Sequence, residues 1–338
     1  MLNSSSEFTE QTTNLSSTGA MLAVTPTDME YPPEQRLDIR LPYCQYRKLE
    51  ESWSKFKSEN NIQEEKRYPS LSYNSLMQIA TVVTTQSALH DRTGTVFREI
   101  IASSINEYLS MHKPNVMDTI EDYGSMTVSE LSLDDRSMSS KEADETFVYE
   151  RPGKPPCLQV VIECGVSENY KALCRDKDLW IQHLGAKAVV LICLKEAPRF
   201  KTSRAVLENI KYAVAEVERM EQHAARAMAL NLEQGHFGPI EYRNHTWVGK
   251  VNELFVEVWR ADEKSPVRKT GTSYNCLIKT TGLKISDFFP EDEWTAFQIP
   301  ESNVCFPPHL FDKLMSAMTW TARTRFVRFL NSLGLRKG

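Results

Sequence analysis

Apolar and polar positions change period several times along the chain, and each change marks an element. In TVFREIIASSINEYL, residues Phe97, Ile101, Ile105 and Tyr108 fall near one face, the spacing of an amphipathic helix. The HDRTG before it reads as a turn. ETFVY reads as a short strand, RPGKPP as a Pro/Gly turn and CLQVVIECGV as an apolar strand. Ser167 is placed to cap a helix running to about Leu184, with Gly185 as its C-terminal stop. AKAVVLICL is then a second continuously apolar strand. Strand, helix and strand with short joints make a βαβ unit. Their unbroken apolarity predicts strands covered on both faces, hence a parallel pair.

Elsewhere the pattern is looser. LPYCQYRKLEESWSKFKSENN predicts a short helix. Ser203 to about Gln234 predicts a long charged one, with Val206, Ile210, Val214 and Val217 on one face. IEYRNHTWVGKV, ELFVEVWR and NCLIKT are strand candidates, and a helical C-terminus starts near Pro308. Residues 1–28 are Ser/Thr-rich and aperiodic, with too little apolar surface to offset their ordering entropy. The organisation expected is a disordered tail over 1–40, an α/β core over 41–300 and a C-terminal helical extension over 301–338.

Composition narrows the class. The 338 residues, 41% hydrophobic, fit one large domain with appendages or two small ones. The longest strongly apolar run, Ala188 to Leu194, is far short of the roughly 20 residues that span a bilayer. The N-terminus lacks the basic and apolar regions of a secretory signal. Seven scattered cysteines suit a reducing compartment, so an intracellular, nuclear or cytoplasmic protein is expected, with no membrane partner. The net charge of −5 is uneven, because Lys113 to Glu150 holds ten acids and three bases. That segment, 113–143 above all, reads as a long acidic loop suited to a basic partner. The rest is not basic enough to mark a strongly basic nucleic-acid binder.

The candidate chemistry lies in the βαβ unit. By alternation Leu158, Val160, Ile162 and Cys164 face one way, and Gln159, Val161, Glu163 and Gly165 the other. Glu163 is a carboxylate inside an apolar strand, so it needs a metal ion, a cationic partner or a raised pKa. On the following helix Tyr170, Leu173, Cys174, Lys177, Ile181 and Leu184 share a stripe, with Lys177 midway along it. Asp144 heads the hairpin partner of the Glu163 strand. Two carboxylates and a lysine are the parts of a phosphodiester-hydrolysing site. The acids hold Mg²⁺ or Mn²⁺, and the lysine serves the attacking water. Cys157, Cys164, Cys174 and Cys193 lie on apolar elements without a CxxC pair and read as small hydrophobes.

KEADETF, CLQVVIECGVSE and LCRDKDLWIQHLGAKAVVLICL resemble the PD-(D/E)XK, or restriction-endonuclease-like, superfamily. The nearest pattern is that of a fungal branch similar to Uma-type endonucleases. LFVEVWRADEKSPVRKTGTSYNCLI also resembles that branch, and the likeness covers roughly residues 90–290. It implies a mixed central sheet flanked by helices and a divalent-metal-dependent nuclease acting on nucleic acid, DNA above all. Asp144 would be the PD aspartate, Glu163 the acid of the (D/E)XK strand and Glu99 a helix acid assisting the metal. Two departures stand out: Ala143 replaces the proline, and Gly165 replaces the lysine, whose role Lys177 would take from the helix. The alternative is a catalytically inactive nuclease fold that binds or regulates.

Overall fold

The computed structural model describes residues 36–60, 62, 69–83, 87–131, 138–166, 169–201, 213–233, 237–270 and 281–332. Elements are numbered in chain order. The βαβ unit forms as its apolarity predicts. Strand β8 (Cys157–Val166) leads into helix α3 (Tyr170–Gln182), which returns to strand β9 (Ala188–Ala197), and β8 and β9 pair in parallel. Both strands are buried almost throughout. Asn169 rather than Ser167 caps α3, its side-chain oxygen accepting the Lys171 N–H at 2.9 Å; Ser167 lies outside the described residues. Gly185, at φ +74°, takes the left-handed conformation that ends the helix.

Around this pair builds a six-stranded mixed sheet. Strand β7 (Glu145–Tyr149) joins the free side of β8 in the expected hairpin, and β4 (Ile120–Gly124) pairs with β7 at that edge. On the far side β12 (Lys250–Arg260) pairs antiparallel with β9, and β13 (Val267–Thr270) closes the row. The strand order is β13-β12-β9-β8-β7-β4. A second, antiparallel sheet has the order β1-β3-β2-β6-β5. It consists of β1 (Arg36–Arg40), β2 (Ser70–Asn74), β3 (Ile79–Val83), β5 (Thr127–Leu131) and β6 (Met138–Glu142). Strands β10 (Ile240–Tyr242) and β11 (His245–Val248) form a small ribbon.

The helices cover the faces of the central sheet. Helix α2 (Ala88–His112) packs on β8 with Phe97, Ile101 and Ile105 buried, as its spacing predicts. Its start is earlier than expected. HDRTG is helical, because Ser87 accepts the His90 N–H at 3.1 Å and caps the helix in front of that segment. Val160, Ile162, Cys164 and Val166 join the large core on this face, while Val161 packs with Leu173 and Trp180 of α3 on the other, which is the predicted alternation. Helix α1 (Tyr43–Glu59) lies on the second sheet over a small core of Leu41, Tyr46, Tyr73 and Ala80. No helix among the described residues is long and apolar enough to cross a membrane.

Three expectations change. Residues 36–40 of the expected tail form strand β1, and 1–35 lie outside the described residues. The acidic segment 113–143 is not a loop. It holds a short 3₁₀ turn and strands β4, β5 and β6, with residues 132–137 outside the described set. Its exposed acids, such as Glu121, Asp122 and Glu130, share their strands with buried or half-buried residues such as Gly124, Val128 and Ser140, so a half-buried strand reads in composition as a solvated linker. The C-terminal helix is not an appendage. After α4 (Ala213–Glu233) and the short α5 (Glu291–Phe297), helix α6 (Leu310–Ser332) packs against α2 and α4 and places Leu314, Met318, Phe326 and Leu330 in the main core. NCLIKT and the expected helical segment 203–212 lie outside the described residues.

Phe326 is fully buried, edge-on to Trp247 at 4.9 Å and to Tyr242 at 5.6 Å, whereas Trp320 on the same helix is 38% exposed beneath Arg92. Phe326→Ala is expected to lose about 3–5 kcal/mol in urea unfolding, by cavity formation. Trp320→Ala is expected to lose about 1 kcal/mol or less. Equal losses would contradict the placement of α6 in the core.

Candidate functional site

Glu163 sits in the middle of β8 and faces α3, with 4% of its surface exposed. A carboxylate buried there requires donors. Trp180 of α3 points its indole N–H at Glu163 Oε1, 2.5 Å away. The Lys141 ammonium, reaching over from β6, lies 3.5 Å from the same oxygen. Lys141 also bonds Asp176 Oδ2 of α3 at 3.1 Å, and Arg36 of β1 grips both oxygens of Asp176 at 2.8 and 3.0 Å. Asp144, in the joint between β6 and β7, is equally buried. Its Oδ2 accepts the Cys164 N–H at 2.6 Å, so a side chain supplies the acceptor that a continued β7 backbone would offer. The ring of His90, in the first turn of α2, lies 3.3 Å from that oxygen through Nε2.

The electrostatics follow from this geometry. Burial pushes the Glu163 carboxyl up to about 8, against the pull of Lys141, and the charges of Asp144 and Asp176 push the same way as burial. Burial would also raise Asp176, but Lys141 and Arg36 outweigh it and hold that carboxyl below the usual range. Burial works against the charge on Lys141. Asp176 first, then Glu163 and Asp144, more than offset it and raise the ammonium's pKa. At neutral pH Lys141 and Arg36 therefore face an ionised Asp176 and a Glu163 that burial biases toward its protonated form.

The structure thus brings Asp144 and Glu163 into one electrostatic cluster, but the lysine that joins them is Lys141. Lys177 is turned toward β12. Its ammonium pairs with Asp178 and lies 4.2 Å from the centre of the Trp259 ring. The reason is a rotation of α3 from the expected stripe: its buried residues are Ala172, Leu173, Asp176, Leu179 and Trp180. Glu163 draws Trp180 inward, and Lys141 with Arg36 draws Asp176, so a stripe containing an aspartate is the buried one. Glu99 does not join the cluster either. It is exposed and paired with Lys313 of α6 at 2.6 Å. It also follows His90 by nine residues, about two and a half helical turns, which puts it roughly 13 Å along the axis and on the opposite side of α2.

Lys141 was within reach of sequence reasoning, since it stands in KEADETF three residues before Asp144. A second buried acid carries a clearer signal. Glu257 lies between Val256 and Val258 on β12, an exception to apolarity of the same kind as Glu163. Register puts Glu163 beside Leu191 and Leu191 beside Glu257, so the two acids flank one leucine on the sheet face under α3. Glu257 accepts the Tyr170 hydroxyl at 3.0 Å, the Trp259 indole N–H at 2.9 Å and the Arg268 guanidinium at 2.8 Å. Helix α3 is therefore fastened to the sheet at both ends, through Tyr170 and Trp180.

A magnesium or manganese ion binds through one or two carboxylates and keeps several waters. Glu163 and Asp144 keep 4% exposure each, and the oxygens that face the cluster already accept protein donors. At Gly165, where the motif lysine would stand, an added Cβ would lie 2.6 Å from Leu173 Cδ1 and 3.2 Å from its Cγ, so Leu173 fills that space. Among the described residues no three His, Cys, Asp or Glu side chains gather closely enough to hold a metal. As arranged, these residues do not fit a hydrated divalent ion. Comparison of the chain with protein-family models, with curated proteins and with solved structures found no match.

The raised pKa of Glu163 fixes the sign of one pH effect. Between its ordinary 4.5 and about 8 the folded chain holds a proton that the unfolded chain releases. This contribution to stability is complete below 4.5 and is lost as pH rises through about 8. Glu163→Gln keeps an acceptor for Trp180 and cannot titrate. The stability of the wild type relative to this variant, from urea midpoints, is expected to fall steadily between about pH 5 and pH 9. Parallel profiles would contradict the burial of an unneutralised Glu163.

Proposed function

We propose that this chain is a restriction-endonuclease-type α/β fold that does not hydrolyse nucleic acid and serves as a binding module. The β7–β8 hairpin, the parallel β8–β9 pair and the positions of Asp144 and Glu163 support the nuclease-type reading, since they reproduce the order of the PD-(D/E)XK motif. One observation carries the inactive reading: Lys141 and the Trp180 N–H occupy the Glu163 oxygen that a metal ion would need. Leu173 in the place of the motif lysine supports it further.

The partner this reading favours is a basic protein segment. Strands β4 and β5 are the terminal strands of their sheets and follow one another in the chain. They expose Glu121 and Asp122 on β4 and Glu130 on β5. An edge strand offers backbone groups to an incoming extended chain, and acids beside it select a cationic one. Such an edge repels the DNA backbone. The convergence of two acids and a lysine favours the second reading, a divalent-metal-dependent nuclease in which Asp144 and Glu163 hold Mg²⁺ or Mn²⁺ and Lys141 assists.

Incubation of the purified chain with supercoiled DNA and either Mg²⁺ or Mn²⁺ is expected to give no more nicking than Asp144→Asn gives. Nicking that this substitution abolishes would establish the second reading. A lysine-rich peptide is expected to bind the chain at low salt and to dissociate near physiological ionic strength, and charge reversal at Glu121 and Glu130 is expected to remove the binding. Peptide binding that survives the charge reversal would exclude these edges as the docking site.

A further inference from the structure

We infer that Cys157 and Gln159 form a thiol-oxidation site, at which a peroxide converts the Cys157 thiol to a sulfenic acid that the buried Gln159 amide retains. The site is independent of whether the fold hydrolyses nucleic acid. The apolar run around Cys157 predicts a small buried hydrophobe, but this residue follows the RPGKPP turn as the first of β8 and is exposed. Gln159, two residues on, is only 2% exposed. The register with β7 shifts between Phe147 and Val148, which makes Gln159 the extra residue of a β-bulge on β8. Its amide turns back along the strand, and Nε2 donates to Cys157 Sγ at 3.0 Å and to the Cys157 carbonyl at 3.4 Å. Its Oε1 is buried and has no hydrogen-bond partner among the described residues. A solvent-facing thiol thus lies against an amide that has an acceptor to spare.

A buried amide oxygen without a donor is costly, and oxidation of the neighbouring thiol supplies the donor. One peroxide oxygen passes to sulfur as the O–O bond breaks, and sulfur gives up two electrons. The other oxygen leaves as hydroxide and takes the thiol proton, so hydrogen peroxide yields S–OH and water. A thiol is a weak donor, whereas the hydroxyl of S–OH is a strong one. In both orientations of the Gln159 amide the product is held: Nε2–H donates to the added oxygen, or Oε1 accepts its proton. The next cysteine of the strand, Cys164, is seven residues on, roughly 23 Å along an extended chain, too far to displace the hydroxyl as a disulfide. A small external thiol is therefore the reductant: it attacks the sulfur, an S–S bond forms and water leaves. A second equivalent then releases Cys157 and forms the disulfide of the small thiol. Cys44 and Cys305 are exposed as well and serve as references within the same chain; Cys305 directs its thiol at the Asn303 carbonyl, 3.6 Å away.

The test gives the full chain a brief pulse of hydrogen peroxide, removes the excess with catalase and adds dimedone, which traps sulfenic acids, after increasing delays. Peptide mass spectrometry then reads the adduct at each cysteine. Cys157 is expected to keep its sulfenic acid about tenfold longer than Cys44 and Cys305, the factor that one hydrogen bond of ordinary strength supplies. Dithiothreitol added before dimedone is expected to abolish the Cys157 adduct. Gln159→Leu keeps the buried volume and removes the amide, and it is expected to shorten the Cys157 lifetime to that of the reference cysteines. No adduct at Cys157, or equal lifetimes at the three cysteines of the wild type, overturns the site without recourse to a variant. A Gln159→Leu chain that is folded by far-ultraviolet dichroism and keeps the wild-type lifetime overturns the role of the amide. Should that variant not fold, the comparison within the wild type decides.

Discussion

A carboxylate in the middle of a central, doubly covered strand governs the rest of this structure. Removing an ionised acid from water without partners is prohibitive, so the surrounding sequence must supply donors or a proton. Glu163 obtains both, an indole N–H from Trp180 and a pKa of about 8. Glu257, one leucine away across the sheet, is satisfied by Tyr170, Trp259 and Arg268. The two acids set the rotation of α3 about its axis. That rotation carries Asp176 to the side where Arg36 and Lys141 of the second sheet meet it.

The parts of this arrangement that depend on apolar periodicity are legible in the chain. The β7–β8 hairpin, the parallel crossover and the inward face of α2 all follow from the spacing of Val160, Ile162, Phe97, Ile101 and their neighbours. So do the unusual burial of Glu163 and its proximity to Asp144. The lysine departs from the expected helix for a physical reason. Apolar counting favours the stripe through Tyr170, Cys174 and Lys177 over one interrupted by Asp176, and it cannot foresee that a cation from another sheet makes an aspartate a good buried residue. The acidic segment 113–143 misled in the same way. Net charge describes what a segment shows to water, while strand formation here rests on the positions that are buried, such as Gly124, Ser139 and Ser140.

Gly165 illustrates how a local substitution and the packing around it depend on each other. Without a Cβ at this position, Leu173 moves against the strand and reaches full burial. A longer side chain at 165 would press on the Leu173 methyls and displace them from the strand. The cation that the cluster needs must then come from elsewhere, and β6 of the second sheet is near enough to provide it. The resemblance to a metal-dependent motif and the closure of the cluster around Lys141 are compatible for this reason.

The second sheet has a core of its own that is small, built around Leu41, Tyr46, Tyr73 and Ala80, and described ion pairs tie it to α3 through Arg36, Asp38 and Lys141. Ionic ties weaken as salt rises, while the apolar cores on the two faces of the central sheet do not. The smaller sheet therefore leans on ion pairs to a greater degree than the central one, and it is the part expected to open first. Amide hydrogen exchange would then show two classes of protection in one chain, and ionic strength would shift the boundary between them.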